Sequence, residues 1–167
     1  MLEGSKHMKK SIQLPLQTGD LIVGFMVWVI LSSLLPYILQ DIAIPPDRVA
    51  LVTAVPVILG SVLRVPLGYL TNRLGARTVF LASFVCLLLP VWLISEATTY
   101  EALITGGVFL GIGGSVFSVG VTSLPKYYPR ERHGFVNGVY GFGNMGTALT
   151  TWLAPLAAAA WDWRVAV

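Results

Sequence analysis

Residues 106–152 decide the fold: GGVFLGIGGSVFSVGVTSL (106–124), PKYYPRERHG (125–134) and FVNGVYGFGNMGTALTTW (135–152). Two long apolar segments crowded with glycine flank a short basic hinge. Each glycine inside a soluble helix costs about 1 kcal/mol relative to alanine. Segments this apolar that still carry so many glycines must gain more from close backbone approach than they lose in propensity. That exchange suits a bilayer, where lipid tails are as apolar as leucine and helices associate through tight packing and interhelical hydrogen bonds. The pattern predicts an all-α, polytopic membrane helix bundle.

The rest of the chain reads the same way. Its 167 residues are 55% hydrophobic and 11% charged, with a mean hydropathy of +0.75; a soluble domain is about 25% charged. Apolar runs long enough to cross a bilayer lie at 20–40, 50–71, 78–96, 103–124 and 134–160, and the start of a sixth follows from Arg164. Residues 1–8 (MLEGSKHM) read as a cloning scar that ends at a second methionine, leaving 9–167 as the bundle. The first run is too long for a cleaved leader and is expected to be a retained helix.

Charge alternates in register with these runs. Lys9, Lys10, Arg73, Arg77, Lys126, Arg130 and Arg132 fall on one side. The opposite loops hold Asp41, Asp47, Arg48, Glu96, Glu101, Asp162 and Arg164. Lysine and arginine excess marks cytoplasmic loops, so the N-terminus is expected inside an inner (plasma) membrane that the chain crosses several times. A net charge of +3 distributed in this way does not form a nucleic-acid-binding face. Cys86 is the single cysteine, and the two histidines are His7 and His133. No disulfide framework, metal site or cofactor is expected from so few ligands. The spans likewise offer no catalytic cluster, which argues against a membrane enzyme.

Within the second span stands Arg64, six residues from the inner end near Leu70 and therefore roughly 9–10 Å deep at 1.5 Å per residue. Arginine at a span centre costs a few kcal/mol even on the lenient insertion scale. Snorkelling to the surface is the bland explanation. The functional one is a polar cavity in which the guanidinium fork receives a planar oxyanion. No Asp or Glu is assigned to the interior of the five spans to neutralise it, so a substrate could supply the counter-charge. The same absence disfavours a carboxylate proton relay, whereas exchange of one anion for another needs none.

After the second span comes Gly68-Tyr69-Leu70-Thr71-Asn72-Arg73-Leu74-Gly75-Ala76-Arg77. It resembles the loop signature G-x-L-x-D-R-x-G-R-R between helices two and three of the major facilitator superfamily. Asn72 stands where that family has aspartate and Ala76 where it has arginine, which puts the family's salt bridge there in doubt. Gly68, Asn72, Arg73, Gly75 and Arg77 would form the conformational hinge. The run from Gly111 to Trp152 resembles helices four and five of the nitrate/nitrite porters (NarK type) within that superfamily. Their signature would fall here on Gly134, Gly138, Gly141, Gly143, Asn144 and Gly146.

Asn137 and Asn144 are separated by about two helical turns, so they share one face, with Gly141 between them. The glycines themselves are expected to serve helix packing, Gly107/Gly111 and Gly134/Gly138 by small-xxx-small spacing. By resemblance, Arg64 matches the helix-two arginine that binds nitrate, and Phe117 the helix-four phenylalanine that packs against the planar anion. Asn144 would complete the substrate set, with Asn137, Gly141, Gly143 and Gly146 on the substrate face or in packing.

The resemblance therefore implies the N-terminal half of a carrier that moves nitrate or nitrite by alternating access, as an antiporter or a proton-linked symporter. Its partners would be the anion, membrane lipid, and a missing C-terminal half or a second copy in a homodimer. A carrier for another small anion, or a membrane subunit that only scaffolds or senses, stays open on the sequence.

Overall fold

In lipid the backbone must satisfy its own hydrogen bonds, and a chain of apolar runs with short turns can do so only as helices. The computed structural model describes residues 12–167. Those residues form α1 (Gln13–Trp28), α2 (Ile30–Asp41), α3 (Pro46–Leu74), α4 (Ala76–Ser95), α5 (Tyr100–Ser115) and α6 (Phe117–Ser123). Then come α7 (His133–Gly141), α8 (Met145–Ala160) and α9 (Trp163–Ala166), with short 3₁₀ turns at Leu124–Lys126, Arg130–Arg132 and Phe142–Asn144. No strand occurs among the described residues. Four rods are long and apolar enough to cross a membrane: Gln13–Asp41, Pro46–Leu74, Ala76–Ser95 and Tyr100–Lys126. The run expected at 134–160 is α7 and α8 joined by a 3₁₀ turn, and α9 is the start of a further helix. The scar at 1–8 and the lysines at 9 and 10 lie outside the described residues.

One difference changes the chemistry. The first helix starts at Gln13, seven residues before the apolar run, so Asp20 stands about two turns inside it. Hydropathy excludes QLPLQTG because of its polar residues. The fold admits it because those residues find partners: buried Gln17 accepts a 2.8 Å bond from Ser123 Oγ, and Thr18 Oγ1 donates to Leu14 O. The reading that no carboxylate lies within the spans is thus corrected.

Two of the rods are interrupted. At Val29, between α1 and α2, the hydroxyls of Ser32 and Ser33 both donate to Val29 O, at 2.8 and 3.0 Å. Back-bonding of this kind draws a carbonyl off the helix axis and bends the helix. At Val116, between α5 and α6, Ser115 Oγ donates to Ile112 O and Ser118 Oγ to Ser115 O. Val119 N reaches only to Val116 O, a 3₁₀-type closure.

Glycine sets the helix crossings. Cβ atoms added at Gly24 and Gly113 would meet Val116 and the Gly24 carbonyl, so α1 and α5 cross backbone to backbone there. A Cβ added at Gly111 would meet Gly60 N at 2.9 Å, and one at Gly107 would meet Pro56 and Leu31. The indole of Trp28 lies against Gly60 and Gly114 and donates from Nε1 to Pro56 O at 3.0 Å. Gly143 and Gly146 press on Leu21 and on the Ile22 carbonyl, seating the start of α8 on α1, and Thr150 Oγ1 donates to Met26 O. Gly107/Gly111 therefore pack as expected. Gly134 and Gly138 do not: an added Cβ meets nothing within 4 Å at either, nor at Gly141. That correction leaves α7 with an open glycine face.

Large apolar side chains cover the outside, Val65, Val85, Leu88 and Trp152 among them, each at least 66% exposed. Such a surface suits lipid rather than water. At the end of the bundle that carries Asp41, Arg164 Nη1 pairs with Asp41 at 2.7 Å, Nη2 donates to Ala97 O, and Trp163 Nε1 also donates to Asp41. One side chain thereby ties the start of α9 to the end of α2 and the turn after α4.

Candidate anion site

Arg64 is half-buried on α3 and turns toward the bundle. Its Nε donates a long 3.4 Å bond to Gly114 O, and its Cζ lies 5.1 Å from the centre of the Phe117 ring. Both partners flank the interruption at Val116. The other side of that interruption is held from α7, where buried Tyr140 donates its hydroxyl to Val116 O at 3.2 Å. A break in a membrane helix frees carbonyls that need donors. Here an arginine takes one and a tyrosine the other, so the break is also what fixes both side chains.

The aromatic rings form one connected set. Phe117 stacks with Phe25 at 6.3 Å and meets Tyr140 at 5.7 Å, while Phe25 meets Trp28 at 5.0 Å. The guanidinium face toward Phe117 is thus occupied by a cation–π contact. Among the described residues neither Nη atom makes a hydrogen bond or an ion pair. Those N–H groups are the fork's unused donors. A small planar oxyanion matches them in charge and shape.

Of the three expected substrate residues, the structure joins Arg64 and Phe117 but not Asn144. Asn144 is exposed and donates from Nδ2 to Gly141 O at 2.7 Å, within its own helix. One amide N–H and Oδ1 stay available. Asn137 is exposed as well, and Gly141 meets open space, so these three occupy the unpacked side of α7 and the turn after it. Gly143 and Gly146 belong to packing on α1. Asp20 lies on α1 in a shallow cavity of about 400 Å³ whose other walls include Leu16, Val23 and Phe84.

Tyr140, Gly114, Trp28 and Asp20 are site residues that the sequence by itself does not single out. Tyr140 carried a readable signal, a large aromatic flanked by glycines at 138 and 141. Its ring occupies the space above Gly120, where a Cβ would collide with it.

In the hinge motif, Gly75 ends α3 with φ +83, the left-handed region that favours glycine. Asn72 Oδ1 accepts a 2.7 Å bond from Lys126 Nζ, so a neutral amide joins the last turn of α3 to the end of the α5–α6 rod. Arg73 lies over Tyr69 at 5.5 Å, Gly68 faces Thr122, and Arg77 is exposed.

The family model described as Major Facilitator Superfamily matches residues 21–167. A Bacillus subtilis (strain 168) protein named "Nitrite extrusion protein" is 60% identical over 159 residues, which cover 95% of this chain and 40% of the relative. Proteins named "Probable nitrate transporter NarT" are 53% identical in Staphylococcus carnosus (strain TM300) and 52% in Staphylococcus aureus (strain JH9), each again over 95% of this chain and 41% of the relative. The chain thus spans about two fifths of the length of these relatives.

Proposed function

Since this chain belongs to the Major Facilitator Superfamily, we propose that it forms the N-terminal half of an alternating-access carrier for nitrate and nitrite. Carriers of this kind place the substrate between two halves near the midplane. The observation that carries the reading is the Arg64 fork, turned inward over Phe117 with neither Nη atom bonded among the described residues. The names of the relatives narrow the anion to nitrate or nitrite.

In the proposed site the anion lies against the Arg64 Nη groups, flat beside Phe117, with the spare N–H of Asn144 approaching when the helices close. A second cation comes from the C-terminal half, or from another copy of this chain. One guanidinium neutralises one anion, so an occupied site can close and an empty one resists closure. That favours exchange of one anion for another. Asp20, inside α1, supplies a carboxylate that a proton-linked version would use. The basic loops support a cytoplasmic N-terminus and an inner membrane as the site of the carrier.

The test is uptake of labelled nitrate into vesicles holding the protein in the length the cell makes it. Uptake is expected, and Arg64→Lys is expected to abolish or sharply weaken it; unchanged uptake removes Arg64 from the site. With the proton gradient collapsed and nitrite loaded inside, continued uptake supports exchange, and strict dependence on the gradient rejects it. Nitrate should also raise the melting temperature, an effect lost in Arg64→Ala. A membrane subunit that merely scaffolds would show no such rise.

A further inference from the structure

On the flank away from the Arg64 fork, α3 and α4 diverge and leave a slot floored by α5. Its volume is about 460 Å³, and its walls include Leu63, Leu67 and Leu74 of α3, Ala82 of α4 and Ile112 of α5. Only Thr78, Ser83 and Cys86 break the apolar lining. A second, more open cavity continues it along α4, sharing Thr78, Ala82 and Cys86 and opening at Arg77. Arg77 is exposed at the first turn of α4, and among the described residues it makes no hydrogen bond or ion pair. Arg73, two residues before Gly75, adds a second cation at the same end.

We infer that this slot holds one acyl chain of an anionic phospholipid, with the headgroup phosphate at Arg77. The apolar walls cannot retain a polar ligand, and an uncharged lipid would leave the cation at the mouth unanswered. A phosphodiester with no ammonium of its own answers it, and is chemically tethered to a chain that fits the slot. The inference is independent of what the carrier moves. Because α3 carries Arg64 two turns before Thr71, a wedge between α3 and α4 also sets how firmly that helix is seated.

The experiment uses the protein in the length the cell makes it, delipidated in mild detergent. It is mixed with equal amounts of a phosphatidylglycerol and a phosphatidylcholine bearing identical chains, and the adducts are read by native mass spectrometry. Wild type should retain one phosphatidylglycerol about fivefold over phosphatidylcholine, the preference expected of one basic residue near an anionic lipid. Arg77→Gln, at an exposed position, should bring the ratio to one while leaving total adducts similar. Ala82→Trp, which fills the slot, should lose both adducts. Glycerol phosphate at millimolar concentration should not displace the lipid, since without the chain it has no hold.

Cys86 gives a second reading. N-ethylmaleimide should label it in delipidated protein, and phosphatidylglycerol should slow that labelling more than phosphatidylcholine does. Equal retention of the two lipids overturns the proposal, as does a preference that survives in Arg77→Gln. So does a Cys86 that is unreactive without lipid, which would mean that another part of the protein covers the slot.

Discussion

The guanidinium of Arg64 lies over the ring of Phe117, 5.1 Å from its centre, and the two residues stand on helices that share no sequence neighbourhood. What joins them is the interruption at Val116. It turns Gly114 O toward Arg64 and lets Phe117 begin a new helix beside it. The contact also uses the one face of the fork that is not needed for hydrogen bonding. Electrostatic attraction to the ring holds the group in place while the N–H edge stays free.

Arg64→Lys keeps the charge and loses both the planar fork and the ring contact. Hydrogen bonds to charged groups contribute about 1.5–3 kcal/mol each, so losing one corresponds to roughly a tenfold to hundredfold loss of nitrate affinity. Nitrate titrations followed by intrinsic fluorescence would measure it, since Trp28 belongs to the same aromatic set. An affinity within twofold of wild type would show that the anion does not use the fork.

Tyr140→Phe removes one of two donors to Val116 O, which keeps its bond from Val119 N. Losing one such hydrogen bond costs about 0.5–1.5 kcal/mol, and the melting temperature should fall by roughly 2–4 °C for each kcal/mol lost. Because the same bond helps hold the interruption, nitrate affinity should fall along with stability. Phe117→Leu offers the contrast: it keeps apolar volume, spares the backbone bonds, and should weaken nitrate binding with little effect on melting.

Glycine positions on the fifth apolar run separate into two classes, which substitution to alanine should expose. At Gly146 the new methyl would meet the Ile22 carbonyl, and backbone cannot yield as a side-chain tip can. A loss of about 1–3 kcal/mol or more is expected, seen as poor yield and a lowered melting temperature. At Gly141 the methyl meets nothing, and helix propensity improves by about 1 kcal/mol. Gly141→Ala should therefore hold or raise stability while slowing nitrate uptake, because it crowds the face that Asn137 and Asn144 share.

Sequence alone carries the helical class, because it rests on residue type and the length of the apolar runs; Arg64 and Phe117 come together only through the resemblance to the nitrate/nitrite porters. Sequence does not carry the interruptions. Ser32, Ser33, Ser115 and Ser118 look like ordinary polar residues in apolar runs until their hydroxyls are seen on carbonyls one turn back. The sorting of the glycines is hidden for a related reason. Gly134/Gly138 and Gly107/Gly111 have identical spacing, and only the neighbours across the crossing distinguish them. Asp20 was misjudged because hydropathy averages a window, whereas the helix extends wherever side chains such as Gln17 find partners.

The last turn of α3 gives the last prediction. Asn72 occupies the place of an aspartate in the motif it resembles, and it accepts from Lys126 at 2.7 Å. Asn72→Asp keeps the acceptor and adds a charge opposite the ammonium, converting a hydrogen bond into an ion pair. Both groups are exposed, so the gain should be small at low ionic strength. It should fade as salt approaches about 1 M, where the Debye length shrinks to about 3 Å. Lys126→Ala should lower the melting temperature slightly in wild type and more in Asn72→Asp, since the second protein has more to lose. If the two backgrounds respond equally at low salt, Lys126 and residue 72 are not coupled, and the docking of the two turns rests on Gly68 and Thr122 instead.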